Sequence, residues 1–461
     1  MAKLRLDEVA RVTGGSILQG PPALTFESYG IDSRRAAAGE LFFAVPGRRD
    51  GHDFVADAAA KGAAGAVVAR PVPVADKDFG LVRVEDTVAA LQGLAHDVLI
   101  RRQVKVVGVT GSVGKTTTKE FTAALLASRF RVLKSERNFN NHLGLALSLL
   151  RLRPDHEAAV LEMGMSAAGE LLALTRVAPP DVAVITNVSP VHLQFFRSLD
   201  DIAWAKKEIL DGAKPGATAI LNGDDPLVMK IAAGFSGRKV TFGLATGSDV
   251  RAEDVKRSGY SGFEFLLRYG RESIRTPFPF INEAAVADLL AAAAVSLALG
   301  LRLDEIRPAM LALRPFSMRG VLIDAGGGVR VYDDSYNSNP RALEAALTSL
   351  AALPAARKVA VLADMLELGE GEKEFHRRAG EVVARTGWDV LVAVGPLAAL
   401  IAKGAAGAGM SAVSIHRFAD AAAAAGGITG IVRDGDLVLV KGSRGMKTET
   451  IVDKLKTRGK E

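Results

Sequence analysis

The residues best suited to chemistry stand together at Thr110-Gly111-Ser112-Val113-Gly114-Lys115-Thr116-Thr117. The run follows the apolar stretch Val104 to Val109 and precedes the helical pattern Lys119 to Ala127. A glycine-rich turn between a strand and a helix lets backbone N–H groups close on phosphate oxygens. Lys115 would add a point charge for the β- and γ-phosphates, and Thr116 a hydroxyl for Mg²⁺. The strict pattern has glycine where Val109 stands, so this is a variant of the phosphate loop. A nucleoside triphosphate brings a divalent cation that needs donors beyond one threonine. Glu162, closing the apolar run Ala158 to Leu161, and His192, beyond the run Val182 to Thr186, are candidates. Taken singly, each is also compatible with a solvated loop side chain. Lys206, on a helical pattern, reads by itself as an exposed helix lysine.

These groups need a scaffold, and the spacing of apolar runs supplies one. At 461 residues, and roughly 150 residues per domain, about three units are expected. Residues 1–100 carry the short runs Leu41 to Val45, Ala66 to Ala69 and Leu81 to Val84, the pattern of a small α/β unit. Residues 101–317 alternate helical stretches with the runs Val104 to Val109, Ala158 to Leu161, Val182 to Thr186 and Ala217 to Leu221, which predicts a doubly wound parallel sheet. Two helices, Ala284 to Leu299 and Leu303 to Leu313, close that unit. Residues 318–461 repeat the rhythm with strands at Val329 to Tyr332, Val359 to Ala363, Val390 to Val394 and Leu437 to Val440. Loops leaving the carboxyl ends of parallel strands converge on one edge. The segments starting at Asp333, Asp364, Gly395 and Lys441 are therefore expected together. The Ala/Gly clusters near Ala405 and Ala421 read as loops.

Composition sets the remaining bounds. The formal charge of +6 is spread along the chain without a basic block or interleaved aromatics, so small polyanions are the expected partners rather than nucleic acid. With no cysteine, disulfides, thiolate metal sites and Cys nucleophiles are excluded. The first fifteen residues lack an apolar signal core, and the most apolar stretch, Ala284 to Leu299, contains Asp288 and is too short to span a bilayer. The expectation is a cytoplasmic protein, monomeric and without membrane insertion.

Taken together, the runs resemble the Mur ligase family. They are the phosphate loop, Asn138-Phe-Asn140-Asn141-His-Leu-Gly144, Glu162-Met-Gly164 with Gly169-Glu170, Asn187 to His192, and Ala205-Lys206-Lys207-Glu208. The resemblance extends to Asp32-Ser33-Arg34 and Asp50-Gly51-His52 near the amino terminus. At the other end it takes in Asp333-Asp334-Ser335-Tyr336-Asn337-Ser338-Asn339-Pro340, Asp364 to Gly369, His376 and Lys441 to Met446. It implies three α/β domains: a small amino-terminal domain, a central P-loop ATPase domain and a carboxyl-terminal Rossmann-like domain. It also implies an ATP-dependent ligase forming an amide bond through an acyl phosphate. Among the family, the chain is most similar to the member whose substrates are UDP-N-acetylmuramoyl-tripeptide and D-alanyl-D-alanine.

The resemblance further implies that Lys206 is carbamylated and, with Thr116, Glu162 and His192, serves Mg²⁺, and that Thr110 to Thr117, Asn141 and Arg319 serve ATP. It assigns Ser33, Arg34, Gly51, His52 and Asn140 to the nucleotide-linked substrate. Asp333, Asp334, Asn337, Asn339 and Arg444 fall to the dipeptide. The sequence departs from the family at Ala284, Ala285 and Asp288, where a Gly-x-His-Asn-x-x-Asn stretch is usual, and at Gln194, Arg197 and Ala363. Another amino-acid-adding member, a folylpolyglutamate-type ligase and a catalytically silent nucleotide-binding regulator are the rival readings.

Overall fold

The computed structural model describes residues 2–136, 139–191 and 194–458. His192 and Asn138 lie outside the described residues. The first unit is a five-stranded sheet in the order Ser16–Gln19, Gly80–Arg83, Gly65–Val68, Glu40–Phe43, Ser28–Gly30, parallel except at its first strand. Its three central strands read as mostly apolar runs because both faces are covered. The helix Thr87–Arg102 covers one face and also packs on the helices His142–Leu149 and Glu170–Val177. As a result, Leu94, Val98, Leu145 and Leu171 belong to one continuous core that joins the first unit to the second. Arg101 and Arg102 are the last turn of that helix, which ends at Gln103 in a left-handed conformation.

The second unit is a nine-stranded sheet. Its parallel strands include Val182–Ile185, Lys105–Thr110, Ala158–Glu162 and Val132–Lys134, side by side in that order. Three strands not expected from the sequence, Val250–Arg257, Phe263–Tyr269 and Glu272–Phe278, extend its other edge, paired antiparallel with one another. Their alternation of buried with half-buried or exposed residues, half-buried in Phe263–Tyr269, follows from a sheet with one covered face. The helix Ala284–Ala298 packs against the phosphate-loop helix Lys115–Leu126.

The third unit has six strands in the order Val321–Asp324, Arg330–Asp334, Asp436–Lys441, Arg357–Ala363, Val390–Val394, Ile415–Phe418, with only the first antiparallel. The clusters near Ala405 and Ala421, read from the sequence as loops, are helices, Ala398–Gly407 and Ala421–Ile431. Their small residues reflect close packing. A Cβ at Gly404 would collide with the Arg377 carbonyl and one at Gly380 with the Ile401 carbonyl, so Ala398–Gly407 meets the helix Glu372–Arg385 backbone to backbone. Since parallel strands emit their loops at one end, the segments after Asp334, Ala363, Val394 and Lys441 gather at one edge of this sheet, facing the phosphate loop.

Candidate active site between the second and third units

The phosphate loop leaves the strand Lys105–Thr110 at Gly111, whose φ of +148° suits glycine and where a Cβ would collide with Thr186 Oγ1. The neighbouring strand's loop pins the turn. Val113 N–H donates to Asn187 Oδ1 at 3.0 Å, while Thr186 Oγ1 and Asn187 Nδ2 donate to the Val113 carbonyl at 2.6 and 2.9 Å. Ser112 is tied to the Ser189 backbone in both directions. The N–H groups of the helix's first turn, from Lys115 to Thr117, have no intrahelical acceptor and form an anion cradle reinforced by the helix dipole.

Lys115 folds back onto its own loop, Nζ donating to the Gly111 carbonyl at 2.8 Å and the Ser112 carbonyl at 3.2 Å. Burial pushes its pKa down, the Glu162 carboxylate opposes that shift, and Arg319 adds to it. Glu162, 3% exposed, gathers the local polar groups. Its Oε2 accepts from Thr116 Oγ1 at 2.8 Å and its Oε1 from Asn140 Nδ2 at 3.0 Å, while its N–H donates to Ser135 Oγ at 3.0 Å. Arg319, from the third unit, donates to Thr116 Oγ1 at 3.1 Å and lies 4.1 Å over the Tyr336 ring. It brings a second positive charge to the loop.

Lys206 sits on the helix Leu199–Asp211, 2% exposed. Its pKa is driven well below the ordinary lysine value by burial and by the charge of Lys115. Among the described residues no carboxylate or carbonyl pairs with its Nζ. Burial of this kind favours the neutral form of the amine, the form that is a nucleophile toward CO₂. No three His, Asp or Glu side chains among the described residues form a ready-made metal cage. Mg²⁺ at a phosphate site does not need one, because it takes one or two carboxylates and completes its shell with water and phosphate oxygens. Thr116, Glu162 and a carbamate on Lys206 would be oxygen donors of that kind, so the residues present fit the ion.

The cleft beside this loop has a volume of about 890 Å³ and is walled by both units. Of the residues singled out in the sequence, it is lined by Ser112 to Thr117, Asn140, Asn141, Glu162, Arg319, Asp334, Asn337, Asn339 and Arg444. Asp334 pairs with Lys441, whose Nζ also donates to the Asn337 carbonyl at 3.0 Å. Asn339 caps the helix Pro340–Ala351, accepting from Ala342 N–H at 2.9 Å, and Arg444 pairs with Glu449 at 2.7 Å on the rim. Asn141 caps the helix His142–Leu149 in the same way.

Asp333 is not among the lining residues. It is 5% exposed, accepts from Ser335 N–H and Oγ at 3.2 and 2.5 Å, and burial raises its pKa. It shapes the loop from within. Thr110, Gly111 and Lys206 lie behind the cleft wall.

The four residues singled out in the first unit lie on the loops after the strands Ser28–Gly30 and Glu40–Phe43, which share one sheet edge. Arg34 is exposed and held by Asp32 at 2.8 Å, while Ser33 is buried. The His52 ring is engaged on both sides, Nδ1 with Asp50 Oδ1 at 2.6 Å and Nε2 accepting from Ala69 N–H at 2.7 Å. Gly51 packs tightly on Val45.

Several groups that matter here had no role assigned from sequence. Ser135 braces Glu162, the Asn187 amide pins the loop, Tyr336 seats Arg319, and Lys441 balances Asp334. Asp288 had a signal, being the lone carboxyl of an apolar helix. It accepts from Thr118 Oγ1 at 3.2 Å, stands where a Gly114 Cβ would go, and is pushed up to about 7 by burial, against the effects of Thr118 and Arg319.

Comparison with known proteins adds a second line of observation. Residues 25–98 match the catalytic domain of the Mur ligase family, 109–296 the Mur ligase middle domain and 318–444 the Mur ligase glutamate ligase domain. The UDP-N-acetylmuramoyl-tripeptide--D-alanyl-D-alanine ligase of Bacillus subtilis is 36% identical over 461 residues, covering 99% of each chain. Its Escherichia coli counterpart is 34% identical, covering 100% of each. A crystal structure of MurF from Acinetobacter baumannii superposes with a TM-score of 0.90 at 30% identity, covering 99% of each chain. That of the MurF ligase from Thermotoga maritima in complex with ADP gives 0.83 at 31%, covering 94% of this chain and 98% of that one.

Proposed function

The chain belongs to the Mur ligase family, and from that premise we propose that it is an ATP-dependent ligase joining D-alanyl-D-alanine to UDP-N-acetylmuramoyl-tripeptide. The observation that carries the reading is the cleft itself. A phosphate cradle forms one wall, a pair of opposite charges the other, and Arg319 reaches from the second wall to the first. Full-length similarity to ligases of that name supports it.

The chemistry follows from the groups present. ATP phosphates displace the loop carbonyls from Lys115 and take its ammonium, the N–H groups of the helix start and the Arg319 guanidinium. These spread the charge of the γ-phosphoryl group as the tripeptide carboxylate attacks it. Mg²⁺, when bound by Thr116, Glu162, carbamylated Lys206 and His192, supplies further positive charge to the phosphoryl oxygens. D-alanyl-D-alanine is a zwitterion, and the Asp334–Lys441 pair with Asn337 and Asn339 offers it an acceptor and a donor, with Arg444 at the rim. Its amine attacks the acyl carbon, and the carbon–oxygen bond to phosphate breaks. Enclosure between the two units orients the amine and excludes water from the acyl phosphate.

In this reading residues 1–100 hold the uridine diphosphate end, with Arg34 and backbone N–H groups near Ser33 and Gly51 as anion donors and His52 as the brace of their loops. Residues 101–317 bind ATP, and residues 318–461 receive the dipeptide. No helix among the described residues is long and apolar enough to cross a membrane, and substrates carrying nucleotide charge support a cytoplasmic reaction.

The test is phosphate release by the purified protein with ATP and Mg²⁺ against a panel of UDP-muramoyl peptides and amine donors. Turnover that requires both the tripeptide and the dipeptide is expected. Turnover preferring a single amino acid assigns the chain to another step of the same chemistry, and release without an acceptor removes the ligase reading.

A further inference from the structure

The cleft has two kinds of wall beside the phosphate loop. Toward the third unit it is polar, with Asp334, Asn337 and Lys441. Beside the helix Ala284–Ala298 it is apolar, formed by Phe280, Phe316, Ala284 and Ala285. A nucleotide whose phosphates occupy the loop must lay its flat base somewhere within reach, and an apolar wall with aromatic rings is where burial of that base is favourable. Phe280 is a rigid part of that wall, 6% exposed, stacked on Phe278 at 4.4 Å and edge-on to Phe121 of the phosphate-loop helix at 4.9 Å.

The polar side chains along this wall each hold at least one hydrogen bond within the protein. Asn282 Oδ1 accepts from Ala284 N–H at 3.1 Å. Asn222 donates through Nδ2 to the Thr186 carbonyl at 2.8 Å and accepts through Oδ1 from Asp224 N–H at 2.9 Å. Asp288 is taken by Thr118 and turned onto Gly114. Ala284 and Ala285 present only methyl groups. Adenine and guanine differ in the hydrogen-bonding sense of their 6-position and in the amino group at position 2, and a wall of rings and methyls does not distinguish those edges.

We infer that this chain recognises the nucleobase by stacking and shape, through Phe280, Phe316 and Ala285, and therefore takes GTP and ITP as phosphoryl donors alongside ATP. The inference rests on the proposed assignment of this cleft as the triphosphate site. A site built to hydrogen-bond one edge of its ligand rejects a mismatched edge by about four to five orders of magnitude, whereas an apolar pocket separates near-isosteres by about two.

The experiment measures kcat/KM for ATP, GTP and ITP in ligation, with tripeptide and dipeptide saturating. GTP and ITP are each expected within about a hundredfold of ATP, and either falling below that overturns the inference. Phe316→Ala, at a half-buried position on the edge of the second unit's core, is expected to raise KM for all three by a common factor. Changes that differ by more than about tenfold between bases would show edge reading and overturn it as well. Absence of turnover with ATP itself would instead remove the ligase assignment, so the two failures are distinguishable.

Discussion

Replacing Glu162 by glutamine separates the charge of this carboxylate from its shape. Glu162 accepts from Thr116 Oγ1 at 2.8 Å and from Asn140 Nδ2 at 3.0 Å. Glutamine preserves both links, its oxygen accepting from Thr116 and its nitrogen donating to Asn140 once that amide turns over. Two hydrogen bonds to an ionised acceptor, about 1.5–3 kcal/mol each, become neutral ones of about 0.5–1.5 kcal/mol. Relief from burying a charge offsets part of the loss. The net cost to folding is about 1–2 kcal/mol, small enough for the variant to remain folded.

Catalysis is expected to suffer more. The variant loses the negative charge that would hold a cation at the phosphates and the charge that opposes the lowering of the Lys115 pKa by burial. Charge stabilisation by a bound metal contributes several kcal/mol, here taken as about 3–5. At about 1.4 kcal/mol per tenfold, kcat/KM should fall by about a hundredfold to a few thousandfold. The assay is coupled phosphate release across a Mg²⁺ titration, with a denaturant melt of the same preparation. A folded variant that keeps more than a tenth of wild-type kcat/KM at ordinary Mg²⁺ refutes the reasoning.

Lys206→Ala is expected to lose activity with partial rescue by short carboxylic acids, and ¹³C-bicarbonate should give a carbamate carbon signal in the wild type that the variant lacks. A wild-type enzyme active without that signal would contradict the carbamate. Asp288, raised to about 7 in the fold, is ionised above about 4 when unfolded. The unfolded state therefore releases a proton that the native state retains between these values, and stability falls as pH rises from about 4 to about 7. Asp288→Asn should remove that slope, so its stability relative to wild type should be greater at pH 7.5 than at pH 5; equal differences at both pH values would exclude the titration. Gly380→Ala forces a methyl against the Ile401 carbonyl and should cost about 1–3 kcal/mol, read as a lowered denaturation midpoint. An unchanged midpoint would show that the two helices have room.

The parallel strands were legible because doubly covered strands are continuous apolar runs. Val390–Val394 and Ala158–Glu162 fall where those runs lie. The antiparallel extension over residues 250–278 was not, since its strands break their apolar runs with half-buried and exposed polar residues, and the helices at Ala398–Gly407 and Ala421–Ile431 were masked by glycines, of which Gly404 and Gly427 serve close packing. The phosphate loop was legible from local spacing. Arg319 was reached only through resemblance, because nothing local says that a residue 203 positions away will bond to Thr116. Ser135, Tyr336 and the inward turn of Asp333 depend on tertiary contacts that no local pattern encodes.

In the proposed reaction ATP activates the tripeptide carboxylate for attack by the dipeptide amine. With the terminal carboxylate of UDP-N-acetylmuramoyl-tripeptide labelled with ¹⁸O, ligation should transfer one labelled oxygen to each inorganic phosphate released, alongside a product whose mass is that of the UDP-muramoyl-pentapeptide. Amide product formed with unlabelled phosphate would contradict the claim.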